Sequence, residues 1–242
     1  MSYTIAAGKS FNMVLSHVDH ADPNTWKQET AIDDMRKEFS GWDPRSASLP
    51  ALYPPLMQFT DERQHCRLTK IINMIDKTLK WPLLSGSPLE RWVAPSGKVL
   101  IMGDAAHAMV PYMSQGAAMA VEDGAALAEV LNQLESRDQL QTALKAFETE
   151  RIKRSSQMQE ASLVNGKLWH FADGPEQQAR DQAMRPEVEG KHFLVSPNQW
   201  SDPVTQWWCY GYDAEEAIVK AWKAAVPPRD TRHVNGSVNG SS

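Results

Sequence analysis

Between Lys98 and Leu131 the chain changes period once, and that change limits what it can fold into. Val99-Leu100-Ile101-Met102 is an unbroken apolar run between Ser96-Gly97 and Gly103-Asp104, which predicts a short buried strand. A loop with one proline follows. Gln115-Gly116 then opens an alanine-rich stretch, and Ala117 to Leu134, with Gly124 inside it, predicts a helix. A strand returning through Gly-Asp into a helix points to a mixed α/β architecture. In open sheets of that kind, ligands bind at the carboxyl ends of the strands. An aspartate placed there accepts hydrogen bonds from sugar hydroxyls, and a helix N-terminus offers free N–H groups and partial positive charge to an anionic group. Ala117, Ala118, Ala120 and Gly124 leave room for a flat ring or a neighbouring backbone to approach. The same residues also read as a strand–loop–helix unit packed for stability alone.

The rest of the chain is less specific. Tyr3 and Ile5, then Phe11, Met13 and Leu15, alternate with small or polar residues around Ala7-Gly8-Lys9-Ser10, predicting a β-hairpin within residues 1–22. Ile32, Met35 and Phe39 share one face of a predicted helix over Thr25–Phe39, ended by Gly41-Trp42-Asp43-Pro44. Residues 45–66 carry three prolines and no period. Leu68–Leu79 resumes an amphipathic pattern. A long helix is predicted from Leu140 to about His170, with Leu140, Leu144, Phe147, Met158 and Leu168 as its apolar side, broken by Asp173-Gly174-Pro175. Arg151, Lys153 and Arg154 read as a solvated face of that helix. The region after Pro186 reads as loop, dense in tryptophan (Trp200, Trp207, Trp208, Trp222), and Val234–Ser242 as a polar tail.

Composition excludes several function classes. The 242 residues carry 25 Lys+Arg against 30 Asp+Glu, a formal charge of −5, which disfavours a general nucleic-acid binder. No apolar run approaches the ~20 residues of a membrane span, and the N-terminus lacks the order of a signal peptide. Cys66 and Cys209 are too few for a disulfide framework, so a reducing, cytoplasmic setting is expected. His17 and His20 with Asp19 and Asp22 read as a solvated turn rather than a metal site, so no metal is expected. His107 reads as structural. Tyr112-Met113-Ser114-Gln115-Gly116 lacks the first glycine of a nucleophile elbow.

Gly103-Asp104-Ala105-Ala106-His107, then Pro111, then Gln115-Gly116-Ala117-Ala118-Met119-Ala120-Val121-Glu122-Asp123-Gly124 resembles the second FAD-binding motif of single-component flavoprotein monooxygenases, the salicylate-hydroxylase-like group that hydroxylates aromatic rings. Tyr3-Thr4-Ile5, Trp81-Pro82-Leu83, Leu89-Glu90-Arg91-Trp92, Glu150-Arg151 and Trp207–Asp213 fit the same family. The resemblance implies an α/β (mixed α+β), partial FAD/NAD(P)-binding flavoprotein-hydroxylase fold. It divides the chain into 1–92, the remainder of a substrate-binding sheet domain; 93–170, the C-terminal part of an FAD-binding domain; 171–229, a C-terminal Trp-rich helical and loop segment; and 230–242, the flexible tail. It implies FAD as cofactor and NAD(P)H as electron donor. A small, salicylate-like aromatic substrate and O₂ would react through a flavin C4a-hydroperoxide. Residue by residue, Gly103 would belong to the cofactor site, Asp104 would hold the FAD ribose and Pro111 would sit over the flavin's reactive face. The N–H groups around Gln115, Gly116 and Ala117 would meet the pyrimidine edge of the ring.

Two departures accompany the resemblance. The family's GxGxxG turn, which cradles the FAD diphosphate, occurs nowhere in the chain. By resemblance Met1 falls inside a full-length enzyme, so the N-terminal Rossmann βαβ unit is expected to be lacking, leaving Val99–Met102 as an unpaired edge. Residues 46–66 interrupt the family pattern, as an insertion or a retained intron would. An alternative expectation is therefore a non-catalytic remnant acting as an interaction module through its long helix and Trp-rich end.

Overall fold

The structure, a computed structural model, describes residues 2–17, 31–39 and 71–226. The stretch 46–66, His20, Cys66 and the tail lie outside them. The chain forms two compact units, Met1–Pro82 and Leu83–Ser242.

In the first unit, strands β1 (Ser2–Ile5) and β2 (Ser10–Met13) pair antiparallel, with Tyr3 opposite Asn12 and Thr4 opposite Phe11. The turn between them, Ala6–Gly8, holds Ala6 and Ala7 at φ of 52° and 53°, a left-handed conformation uncommon for alanine. Tyr3, Ile5 and Phe11 are exposed, so the predicted alternation forms a hairpin without burying these three residues. Helix α1 (Ala31–Glu38) buries Ala31, Met35 and Phe39 at i, i+4 and i+8. Met35 and Phe39 pack with Ile72, Ile75, Met13 and Leu15. Asp33 and Asp34 in its first turn and Arg36 and Lys37 in its last suit the helix dipole. Of the amphipathic stretch predicted over Leu68–Leu79, only 71–73 is helical among the described residues, and Leu79 is exposed.

The second unit is helical. Its elements are α2 (Asp104–His107), α3 (Gly116–Asn132), α4 (Leu140–Trp169), α5 (Pro175–Ala183), α6 (Arg185–Val188), α7 (Pro203–Tyr210) and α8 (Ala214–Ala225). The long helix falls where its apolar spacing predicts. The buried strand does not form: Val99–Met102 makes a single bridge, Leu100 to Val93, and Val99 is 64% exposed. Ala94 N–H donates to Val99 O and Ile101 N–H to Trp92 O. The segment therefore pairs with residues 92–94 and not within a larger sheet; β1–β2 is the only sheet among the described residues.

Sequence reading also missed two helices, α7 and α8, in the supposed loop after Pro186. Both have clear starts. Asp202 accepts from Thr205 N–H ahead of Pro203, and Asp213 accepts from Glu216 N–H ahead of an amphipathic run. Asp213-Ala214-Glu215-Glu216 has the spacing of a capping box. Helix α8 packs against α3 and α4. Ala214, Ile218 and Trp222 close a core with Trp92, Ala106, Ala126, Val130, Ala143 and Phe147. A second cluster joins Met113, Met119, Met158 and Cys209. No helix among the described residues is long and apolar enough to cross a membrane.

Candidate functional site

The Gly103 turn and the first turns of α3 lie against each other. Gly103 has φ of 60° and ψ of −146°, a backbone region that favours glycine. A Cβ there would stand 3.4 Å from Ala120 Cβ. The small residues thus let loop and helix approach, the use the sequence allowed for a neighbouring backbone. Asp104 heads the four-residue helix α2 and is exposed. Pro111 is exposed and opens the 3₁₀ turn Pro111–Met113. Ser114 follows with φ of 54°, and Gln115, buried, leads into α3. The Gln115 side chain does not cap the N–H groups of that first turn. Gly116 is half-buried beside Met109, and Ala117 is exposed. Of the six residues singled out from sequence, Gly103 and Gln115 are inside and Asp104, Pro111 and Ala117 face outward.

The loop from Ala108 to Tyr112 is fastened to α4 from below. Gln159 Nε2 donates to Gly86 O and Ala108 O at 3.0 and 3.1 Å. Asn165 Nδ2 and Trp200 Nε1 both donate to Tyr112 O, at 2.7 and 3.0 Å. The Tyr112 ring rests where a side chain at Gly166 would stand, so α4 needs a glycine at that point for the loop to come this close.

A buried ionic cluster that sequence reading did not foresee lies behind the Gly103 turn. Asp123 Oδ2 accepts from Gly103 N–H at 2.9 Å and is 2.7 Å from His107 Nε2; Oδ1 accepts from Arg151 Nε at 2.8 Å. Arg151 Nη1 also donates to Glu122 at 2.8 Å and to the Tyr212 hydroxyl at 3.3 Å, and Nη2 to Met119 O. Arg154 bonds Glu122 and the carbonyls of Trp208 and Cys209, with its guanidinium 4.4 Å from the centre of the Tyr212 ring. Both arginines are buried, Arg151 completely. The predicted solvated face is overturned for these two and holds for Lys153, which is exposed. Burial pushes the Asp123 carboxyl up, but the hydrogen bonds from His107, Gly103 and Arg151 outweigh it and hold the group below its ordinary value. His107, expected to be structural, is buried with its Nε2 on Asp123, and its Nδ1 has no hydrogen-bond partner. A proton on Nε2 satisfies this geometry; one on Nδ1 would be a buried donor without an acceptor.

Spacing did hold a signal for the cluster. Glu148, Arg151, Ser155, Gln159 and Ser162 recur every three or four residues on α4 and are all buried. Their polarity masked a buried helical face.

Residues 81–162 match the FAD binding domain family. The chain is 29% identical over 214 residues to the FAD-dependent monooxygenase OpS4 of Beauveria bassiana, a match covering 88% of this chain and 44% of that protein. It is 34% identical over 148 residues to a 6-hydroxynicotinate 3-monooxygenase of Pseudomonas fluorescens, covering 61% and 32%. The solved structure of FqzB shares its fold, with a TM-score of 0.57 at 24% identity, over 86% of this chain and 40% of that one. The chain spans less than half the length of these curated relatives. The chain is similar to FAD-dependent monooxygenases, and helices dominate its described residues.

Proposed function

We propose that this chain supplies part of an FAD-dependent, NAD(P)H-consuming monooxygenase that hydroxylates a small, salicylate-like aromatic molecule in the cytoplasm. The observation that carries the reading is the α3 N-terminus, which the Gln115 side chain does not cap, in one segment with the exposed Asp104 and Pro111. It lies inside the segment that matches the FAD binding domain family. The residues fit the cofactor: Gly103 keeps the turn narrow, Asp104 presents a carboxylate to a ribose, and the first N–H groups of α3 suit an electron-rich ring edge. When bound and reduced, the flavin activates O₂ for insertion of one oxygen atom into an aromatic ring. The chain's own work is to orient the cofactor and exclude water. Asp104 holds the sugar, the N–H groups of Gln115, Gly116 and Ala117 hold the pyrimidine edge, and Pro111 covers one face of the ring.

The relatives point the same way: one is a 6-hydroxynicotinate 3-monooxygenase and another a 3-amino-4-hydroxybenzoate 2-monooxygenase, both names of small aromatic acids. A second reading, an association module without catalysis, is favoured by Trp207, 79% exposed on α7 between exposed Val204 and Tyr210. Absorbance spectroscopy after gel filtration with FAD separates the two. A flavin band at roughly 450 nm that co-elutes with the protein supports the cofactor reading. Loss of that band in Asp104→Ala assigns it to this site. A protein that elutes free of flavin overturns the cofactor reading in favour of the second.

A further inference from the structure

We infer that Asp123 is the positioning residue of the Gly103–His107 turn and that, through Arg151, it ties this turn to the C-terminal segment Trp207–Tyr212. The inference rests on the reading of that turn as part of an FAD site. Asp104 is exposed at the head of a helix of four residues, too short to hold its own shape. Its two ends are fastened to one carboxylate oxygen: Gly103 N–H, just before the helix, and His107 Nε2, its last residue, both meet Asp123 Oδ2. That bond is the His107 side chain's polar hold among the described residues: its Nδ1 has no partner there, and the Trp92 ring lies beside it with centroids 5.3 Å apart.

The second oxygen of Asp123 is taken by Arg151 Nε, so the carboxylate cannot rotate without releasing either the turn or the guanidinium. Arg151 is fixed in turn by Glu122, Tyr212 and Met119 O. Glu122 also engages Arg154, which grips the carbonyls of Trp208 and Cys209. A continuous line of charged hydrogen bonds therefore runs from the junction of α7 and α8 to the turn that presents Asp104. Such bonds are strong and directional in a buried setting. The consequence is that the far C-terminal segment is part of the cofactor-holding unit although it presents no residue to the cofactor.

The test compares Asp123→Asn with Glu148→Gln. Glu148 is another buried carboxylate of this unit; it bonds Trp92 N–H, Val93 N–H and Lys145, and none of these bonds goes to the turn. Two readouts are taken at a temperature where circular dichroism shows both variants folded: hydrogen exchange of the 101–109 peptide in the chain without flavin, and FAD affinity by fluorescence titration. Asp123→Asn is expected to speed exchange in 101–109 at least tenfold and weaken FAD at least tenfold. Glu148→Gln should leave both within twofold in that peptide and that affinity. His107→Gln, whose side-chain amide donates to the same oxygen, should retain FAD affinity within threefold, whereas His107→Ala should not.

Exchange in 101–109 that is unchanged by Asp123→Asn, or equally raised by Glu148→Gln, overturns the inference whatever FAD does. Local exchange with no FAD binding by the unmutated chain leaves the positioning in place and overturns the cofactor reading instead. If Asp123→Asn does not fold, Tyr212→Phe and His107→Ala carry the comparison. Unchanged exchange in the 101–109 peptide of both then overturns the inference.

Discussion

Arg151 Nε lies 2.8 Å from Asp123 Oδ1, and neither side chain has any access to solvent. A buried ion pair is not by itself a source of stability, because desolvating both charges offsets much of their attraction. Its removal is another matter. Arg151→Met leaves the Asp123 carboxylate buried with only Gly103 N–H and His107 to hold it. The variant should lose about 3–5 kcal/mol of unfolding free energy, read from urea denaturation of the purified chain. A loss below about 1 kcal/mol would show the carboxylate to be reached by water.

Two separate buried carboxylates set a pH dependence. Asp123 titrates below its ordinary 3.8 in the folded chain. Glu148 titrates below its ordinary 4.5, because hydrogen bonds from Lys145, Val93 and Trp92 outweigh its burial. Both groups have a lower value folded than unfolded. The stability they contribute is therefore complete above the ordinary carboxylate range and is lost as pH falls through the folded values. The urea midpoint should fall as the pH is taken from about 5 to about 3, and Asp123→Asn should flatten that slope. An unchanged slope in the variant would assign acid sensitivity to other carboxylates.

Helix α8 depends on the residue that caps it and on one buried side chain. Asp213 accepts from Glu216 N–H at 2.9 Å, and Asp213→Ala should cost about 0.5–2 kcal/mol. Ile218 is fully buried between α3 and α4, and Ile218→Ala should cost about 2–5 kcal/mol by leaving a cavity. Chemical denaturation of the two variants checks both the sizes and their order.

Gly166→Ala places a methyl group into the Tyr112 ring. Overpacking of this kind costs about 1–3 kcal/mol, and here the strain falls on a loop also held by Asn165 and Trp200. The melting temperature should drop by several degrees, and Tyr112→Ala in the same chain should restore part of it. A drop that Tyr112→Ala leaves untouched would place the clash elsewhere.

Much of this molecule is legible where burial and hydrophobicity coincide. Met35 on α1 with Phe39 just after it, and Leu144, Phe147 and Met158 on α4, announce their helices by spacing and are buried as that spacing predicts. Legibility fails where the interior is polar. Arg151 and Arg154 sit among glutamates in the sequence, the usual mark of a solvated helix face, and only the fold shows that Glu122, Asp123 and Tyr212 arrive from elsewhere to pair them. Val99–Met102 fails for the opposite reason. Four apolar residues describe a strand inside a sheet, but among the described residues the segment meets only the short stretch 92–94. The helices after Pro186 are legible in principle from Asp202-Pro203 and Asp213–Glu216, whose capping signals stand among tryptophans that carry no period of their own.

The position of α8 has a consequence for how the chain is made. Its apolar face closes the core between α3 and α4, yet it is the last of the three to leave a ribosome. Until Ile218 and Trp222 have emerged, the paired apolar surfaces around Val130 and Phe147 stay open to water and to other nascent chains. Synthesis slowed shortly before Ala214 would lengthen that interval, and a chain released there would be a natural client for chaperones that bind exposed apolar helices.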